Sequence, residues 1–243
     1  REYTQASEDD DRLTSGRSGD HHGWMFPRII SVSLACLFSV SVFAQEAINP
    51  KWEKEISRIE SRELVSPFKT GGVLFTGSSS IKRWATLAED FPGVKLANRG
   101  FGGSQLSDLI AYFDRVIVSG RPSQIVIYSG TNDVKEGESP EQVLEDFATL
   151  CGMIERELPD AKIALISAAP NPKRWHLRED YERLNTIVAR YCERMSYDFV
   201  DVWTPMMGKD GKPSRDIYVE DQLHMNAAGY VMWRKIVAPY LAR

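Results

Sequence analysis

The sequence predicts an α/β protein: a three-layer α/β/α domain wound around a five-stranded, all-parallel sheet. Three observations predict it. From Gly72 onward, short apolar runs alternate with stretches of helical periodicity. The runs are continuously apolar and rich in Val and Ile, as strands covered on both faces should be. Strand–helix alternation with right-handed crossovers then gives a doubly wound parallel sheet. At 243 residues the chain fits one such domain with a leader.

The elements follow in chain order. Residues 1–24 are polar and without periodicity, and read as an upstream segment foreign to the native chain, whose start is Met25. From Met25 the chain has a basic Arg28, an apolar run from Ile29, and small residues at Val42 and Ala44. That is the layout of a secretory signal peptide over 25–44, cut after Ala44. The run contains four serines and is shorter than the ~20 apolar residues of a membrane span. The expected destination is periplasmic or extracellular, with no stable membrane insertion after processing. Cys36 offers a lipoprotein alternative, against which the apolar run continues past it.

Residues 45–68 form an N-terminal arm, in which "PKWEKEISRIESREL" is an amphipathic helix with Trp52, Ile56 and Ile59 on one face. The catalytic-sized domain then occupies 69–243. Its strands are expected at 73–77, 94–100, 124–130, 162–170 and 198–203. A helix "IKRWATLAED" follows the first strand, and "SQLSDLIAYFDRVI" follows the second. The helix after the third strand opens on Ser139, Pro140 and Gln142, a cap, an N1 proline and a capping-box partner. "DYERLNTIVARYCERM" is the next helix, and "NAAGYVMWRKIVAPYL" the last, with Asn226 at its N-cap.

Composition narrows the function. A net charge of −4 argues against nucleic acid as an electrostatically held partner. Cys151 and Cys192 fall on apolar helix stripes and read as buried thiols, with a disulfide between them as the alternative in an oxidising compartment. Neither has a partner pattern for zinc, so no metal is expected.

In a doubly wound sheet, chemistry collects in the loops at the C-terminal strand ends. Here those loops hold "SSS" after "VLFTG", then "GFGGS", "GTND", "NPKRWH" and the segment leading to "DQLH". The chain has four histidines, and His21 and His22 precede the leader, so an imidazole base must be His176 or His224. Asp221 stands three residues before His224, a spacing that lets its carboxylate accept from Nδ1–H and leave Nε2 free to take a proton. His176 has no such partner and reads as part of a loop or pocket wall.

A serine hydroxyl needs a base before it becomes a nucleophile, and a strand end from which it can face an imidazole. Gly77 supplies the permissive backbone for a sharp exit from the strand. One of Ser78 and Ser80 caps the following helix. The stretch lacks the G-x-x-x-x-G-K-[ST] pattern of a nucleotide P-loop. The backbone N–H of Gly103, the amide of Asn132 and the N–H of the nucleophilic serine together make a three-donor oxyanion hole.

Gly-x-Ser near the start, an Asn/Gly block, G-x-N-D, and D-x-x-H near the C-terminus, in that order over residues 73–224, resemble the SGNH or GDSL hydrolases. The resemblance implies a flavodoxin-like sheet and ester hydrolysis without a cofactor. It also implies Ser79 in the nucleophile slot, Gly103 and Asn132 in the oxyanion slots, and Asp221 with His224 in the last block. One departure is that the family's Gly-Asp-Ser reads Gly77-Ser78-Ser79, which removes a carboxylate beside the nucleophile and keeps Ser80 as a fallback. The substrate expected is a small-molecule or polysaccharide ester with a short acyl group such as acetyl, and Trp84, Arg174 and Trp175 are candidates to line a sugar-facing cleft. Two other classes compete: a flavin-binding electron carrier, which leaves D-x-x-H unexplained, and a catalytically silent carbohydrate binder.

Overall fold

The computed structural model describes residues 50–241; the upstream segment, the leader and Cys36 lie outside the described residues. Strands β1 (Val73–Gly77), β2 (Leu96–Gly100), β3 (Gln124–Tyr128), β4 (Lys162–Ile166) and β5 (Asp198–Val200) form a five-stranded sheet in the order β2-β1-β3-β4-β5. Every pairing is parallel. β1 keeps its expected bounds and β2 starts two residues late, while β3, β4 and β5 stop before the expected ends at 130, 170 and 203, and the residues left over become loops that carry the polar motifs. The winding direction reverses between β1 and β3, where Gly77 lies in register with Gly100 on one side and Tyr128 on the other. That reversal is the crevice in which sheets of this kind bind ligands.

Alternate strand residues feed two cores. On one face Leu74, Ile125, Ile127, Ile163 and Leu165 pack under α1 (Glu53–Val65), α4 (Leu106–Ala111), α5 (Phe113–Val116), α7 (Pro140–Glu157) and α8 (Arg178–Met195). On the other, Phe75, Val126, Tyr128, Ala164 and Ile166 pack under α2 (Ser79–Lys82), α3 (Leu87–Asp90), α9 (Trp203–Met206) and α10 (Ala227–Val237). A short α6 (Thr131–Lys135) lies at the end of β3. The caps follow from the sequence. Ser139 Oγ accepts from Gln142 N at 3.3 Å, while Gln142 Oε1 accepts from Ser139 N at 2.9 Å. Asn226 Oδ1 accepts from Ala228 N and Gly229 N at 2.9 and 3.2 Å.

Two expected helices are interrupted, and each break has a side-chain cause. "IKRWATLAED" divides into α2 and α3 because Asn98 on β2 reaches across to donate to Ile81 O at 2.6 Å, and Trp84 turns inward. Trp84 is therefore no cleft residue. It is 1% exposed, packs on Phe75, Phe91, Tyr230 and Trp233, and donates Nε1–H to Asp90 Oδ2 at 2.7 Å. The second break falls at Tyr112, whose ring is buried edge-on against Phe101.

The arm is bound to the domain along its length. Trp52, Ile56 and Ile59 are buried, as their spacing predicts. Arg99, itself buried, grips Glu63 with Nε and Nη2 at 2.5 Å each. Arg115 makes paired contacts to Glu53 and Glu60, and Lys82 on α2 meets Glu55 at 2.9 Å. Exposed pairs of this kind contribute about 0–1 kcal/mol each, whereas removing one partner of the half-buried Arg99–Glu63 pair costs about 3–5 kcal/mol. Cys151 and Cys192 are unpaired and buried, and burial pushes both thiols up to about 12, so they stay protonated and act as packing groups.

Candidate active site

The serine loop is fixed by sterics. Gly77 has φ +121°, and a Cβ there would stand 2.0 Å from Tyr128 O. The chain can therefore leave β1 sharply only with glycine at this point. Ser78 N–H still bonds Tyr128 O at 3.0 Å, so the turn begins from within the ladder, and Ser78 sits buried at the N-cap position of α2. Its hydroxyl makes no capping hydrogen bond, contrary to the expected cap; its carbonyl instead accepts from Ile81 N and Lys82 N at 3.1 Å each. Ser79 is the first residue of α2, a position whose N–H has no acceptor inside the helix.

Four further loops close on it. The loop after β2 presents Gly102 and Gly103. A Cβ on Gly102 would lie 3.7 Å from Ser79 Cβ, and Gly103 adopts φ +83° with Trp52 of the arm 3.4 Å from where its Cβ would be. The loop after β3 turns at Gly130 (φ +94°) into α6, which carries Asn132. Asp133 anchors that turn: buried, it accepts from Leu106 N at 2.6 Å and Gly130 N at 3.1 Å, and burial pushes it up to about 7 against the pull of those donors. Asn132 Nδ2 donates to Ser104 O at 2.9 Å, which joins α6 to the glycine loop.

The loop after β4 carries Asn171, which caps the 3-10 turn Pro172–Leu177 and whose Oδ1 accepts from Arg174 N at 2.8 Å. The guanidinium of Arg174 then reaches Thr131 O at 3.1 Å and Asn132 Oδ1 at 3.0 Å. Lys173 N–H donates to Gln222 O at 3.0 Å, and the Tyr218 phenol donates to Pro170 O, so this loop is stitched to the histidine loop.

In the histidine loop, Asp221 Oδ1 accepts from the backbone N–H of Leu223 and of His224, each at 2.9 Å, while Oδ2 lies 2.6 Å from His224 Nδ1. Burial pushes Asp221 up, but the ring and the two amides outweigh it and hold the carboxyl well below the usual carboxylate range. With Nδ1–H donated to Asp221, Nε2 is the acceptor, and it lies 2.9 Å from Ser79 Oγ.

Of the residues singled out by sequence, Ser79, His224 and Asp221 thus form one hydrogen-bonded chain. Asn132 borders the same cavity, and Gly103 lies between Gly102, packed on Ser79, and Ser104, bonded to Asn132. Ser80 lines the same cavity, but its hydroxyl bonds the buried Tyr128 phenol rather than the histidine, and its carbonyl accepts from Tyr230 OH at 2.9 Å. His176 is exposed on the 3-10 turn Pro172–Leu177 and has no place in the cavity wall. Trp175 stacks on Trp203 at 6.1 Å, outside that wall. Arg174 is in it. A small cleft, partly open to solvent and with about 20 Å³ of room, lies between Ser79, Tyr128, Ala169, Asn171, Met225 and Trp233. No helix among the described residues is long and apolar enough to cross a membrane.

A serine–imidazole–carboxylate chain at the switch point of an α/β/α sheet defines a class of acyl-transferring hydrolases. Residues 70–232 match the sequence profile of the GDSL-like lipase/acylhydrolase family, and the chain belongs to that family. It is a carboxylic ester hydrolase. No curated protein matches it. Among solved structures, it is similar to a GDSL-like lipase from Bacteroides thetaiotaomicron, at 20% identity and TM-score 0.65 over 76% of this chain and 96% of that one. It is also similar to a protein from Streptococcus pneumonia provisionally described as a platelet activating factor, at 23% identity and TM-score 0.70 over 79% and 94%. A third is a catalytic mutant of the acetylxylan esterase Axe2 from Geobacillus stearothermophilus, at 16% identity and TM-score 0.58 over 70% and 94%. At these identities the likeness establishes the fold.

Proposed function

We propose that the protein is an exported serine esterase that removes short acyl groups, acetyl foremost, from carbohydrate or other small alcohols. The observation that carries this reading is the 2.9 Å contact between Ser79 Oγ and His224 Nε2, with Asp221 2.6 Å behind the ring. His224 takes the Ser79 proton as the oxygen attacks the ester carbonyl. The carbonyl oxygen becomes an oxyanion, held by the N–H groups of Ser79 and Gly103 and the amide of Asn132. The tetrahedral adduct collapses when the imidazolium gives its proton to the departing alcohol oxygen, leaving acyl-Ser79. Water then gives a proton to His224 and attacks the acyl carbon, and the imidazolium returns that proton to Ser79 Oγ as the ester bond breaks and the carboxylic acid leaves. Asp221, held as a carboxylate by three donors, stabilises the imidazolium at each turn.

The acyl size follows from space. The room beside Ser79 is small, about 20 Å³, which supports a short acyl group such as acetyl. The acetylxylan esterase among the similar structures accords with an acetylated carbohydrate as substrate. Export rests on the leader pattern of residues 25–44, and secretion with a new N-terminus at Gln45 is its expected sign. The test is turnover of p-nitrophenyl acetate, butyrate and octanoate together with acetylated xylooligosaccharides. The acetyl esters should be cleaved fastest, and Ser79→Ala should abolish cleavage of all of them. Faster cleavage of octanoate would discard the short-acyl assignment, and sugar binding without turnover would replace the esterase by a silent binder.

A further inference from the structure

We infer that Arg174 is a positioning residue for the oxyanion hole: its guanidinium sets which end of the Asn132 side chain faces the reacting carbonyl. The inference rests on the esterase reading above and adds to it a residue outside the motifs that carry the family resemblance. An asparagine amide carries a donor at one end and an acceptor at the other, and only the donor end stabilises an oxyanion. Left to itself the group can present either end, and an acceptor facing the oxyanion would repel it.

Two contacts remove that freedom. Asn132 Oδ1 accepts from Arg174 Nη1 at 3.0 Å, and a guanidinium has no acceptor with which to satisfy the reversed amide. Asn132 Nδ2 spends one hydrogen on Ser104 O at 2.9 Å, which leaves the second for the cavity whose wall Asn132 forms with Ser79 and His224. The same Nη1 also donates to Thr131 O at 3.1 Å, so the guanidinium is referenced to the backbone of α6 as well as to the side chain it orients.

Arg174 is itself held. Its N–H is capped by Asn171 Oδ1 at 2.8 Å, its backbone departs from helical geometry at φ −116°, ψ 28°, and the preceding Lys173 is bonded to the histidine loop through Gln222 O. The loop after β4 therefore ties the base and the oxyanion amide into one frame. The permanent cation at the cavity wall also favours negative charge developing there.

The experiment is a double-mutant cycle on p-nitrophenyl acetate with Arg174→Met, Asn132→Ala and both together, each checked for folding by circular dichroism. R174M should lower kcat about 10²-fold with KM changed less than about threefold, since the lost interaction acts in the transition state. In the N132A background the further loss should shrink to less than about threefold, because there is no amide left to orient. R174K keeps the charge and one donor and should fall between wild type and R174M; if R174M does not fold, R174K with N132A decides the same point. A double mutant whose loss equals the product of the two single losses would overturn the inference, and so would an R174M kcat equal to wild type. Wild-type protein that neither hydrolyses the ester nor reacts with a fluorophosphonate would instead remove the esterase reading itself.

Discussion

The two halves of the active site are held in place by different physics. On the serine side, the turn is dictated by excluded volume: a Cβ at Gly77 would stand 2.0 Å from Tyr128 O, and one at Gly100 would stand 2.5 Å from Lys82 N. On the histidine side the loop itself holds no glycine, and the nearest close approach is at Gly229 on α10, where a Cβ would stand 2.7 Å from Ile217 O. That loop is half exposed and includes Gln222 at φ +56°, and it is shaped by hydrogen bonds to Asp221, by the Tyr218–Met225 bridge, and by contacts to the loop after β4. The nucleophile thus sits on a rigid strand end, while the base sits on a loop whose geometry depends on a few polar groups. Substitutions on the first side should act on folding, and those on the second on turnover.

The largest effect should come from Gly77→Ala. The added methyl meets backbone on β3, which cannot move without opening the sheet, so the loss should exceed about 4 kcal/mol, and little soluble folded protein should accumulate. A folded G77A variant with an ordinary urea midpoint would show that the turn is not sterically locked.

Asp221→Ala should do the opposite. The protein should fold with a midpoint near that of wild type, because Asp221 is largely exposed, while kcat falls by about 10³–10⁴-fold through loss of ring orientation and imidazolium stabilisation. Stopped or steady-state assays on p-nitrophenyl acetate read this directly, and unchanged kcat would mean that another group orients His224.

A smaller effect, on stability, should follow Asp133→Asn on α6. An amide cannot accept at both ends, so one of the donors Leu106 N and Gly130 N is left unsatisfied, at a cost of about 1–3 kcal/mol. The pH dependence sharpens the test. Burial raises the folded value of Asp133 to about 7, above the unfolded value of about 3.9. Its contribution is therefore fully present below the unfolded value and is lost as pH rises through about 7. Urea midpoints of wild type measured between pH 5 and 8 should fall by a component that Asp133→Asn lacks.

Much of this arrangement was legible in the sequence, because it depends on local spacing. The three-residue step from Asp221 to His224 and the caps at Ser139 and Asn226 are set by residues within a few positions of one another, and Gly77 shows as a glycine at a strand end although the clash that requires it comes from Tyr128 on β3. What could not be read are the contacts made across the fold. Trp84 looks like any loop tryptophan until Tyr230 and Trp233 of α10 cover it. Asn98 breaks a helix from a different strand. Arg174 lies 42 residues from the amide it bonds, and no periodicity or motif joins the two. The choice of Ser79 over Ser80 comes from the family resemblance, since a run of identical residues carries no mark of which hydroxyl meets His224.

The central claim is that Ser79 is the hydroxyl activated by His224. Mass spectrometry of the protein after reaction with a fluorophosphonate, with the adduct mapped by peptide fragmentation, tests it most directly. A single adduct on Ser79, absent in Ser79→Ala and strongly slowed in Asp221→Ala, is the predicted result. An adduct on Ser80, or on none of the three consecutive serines, would contradict it.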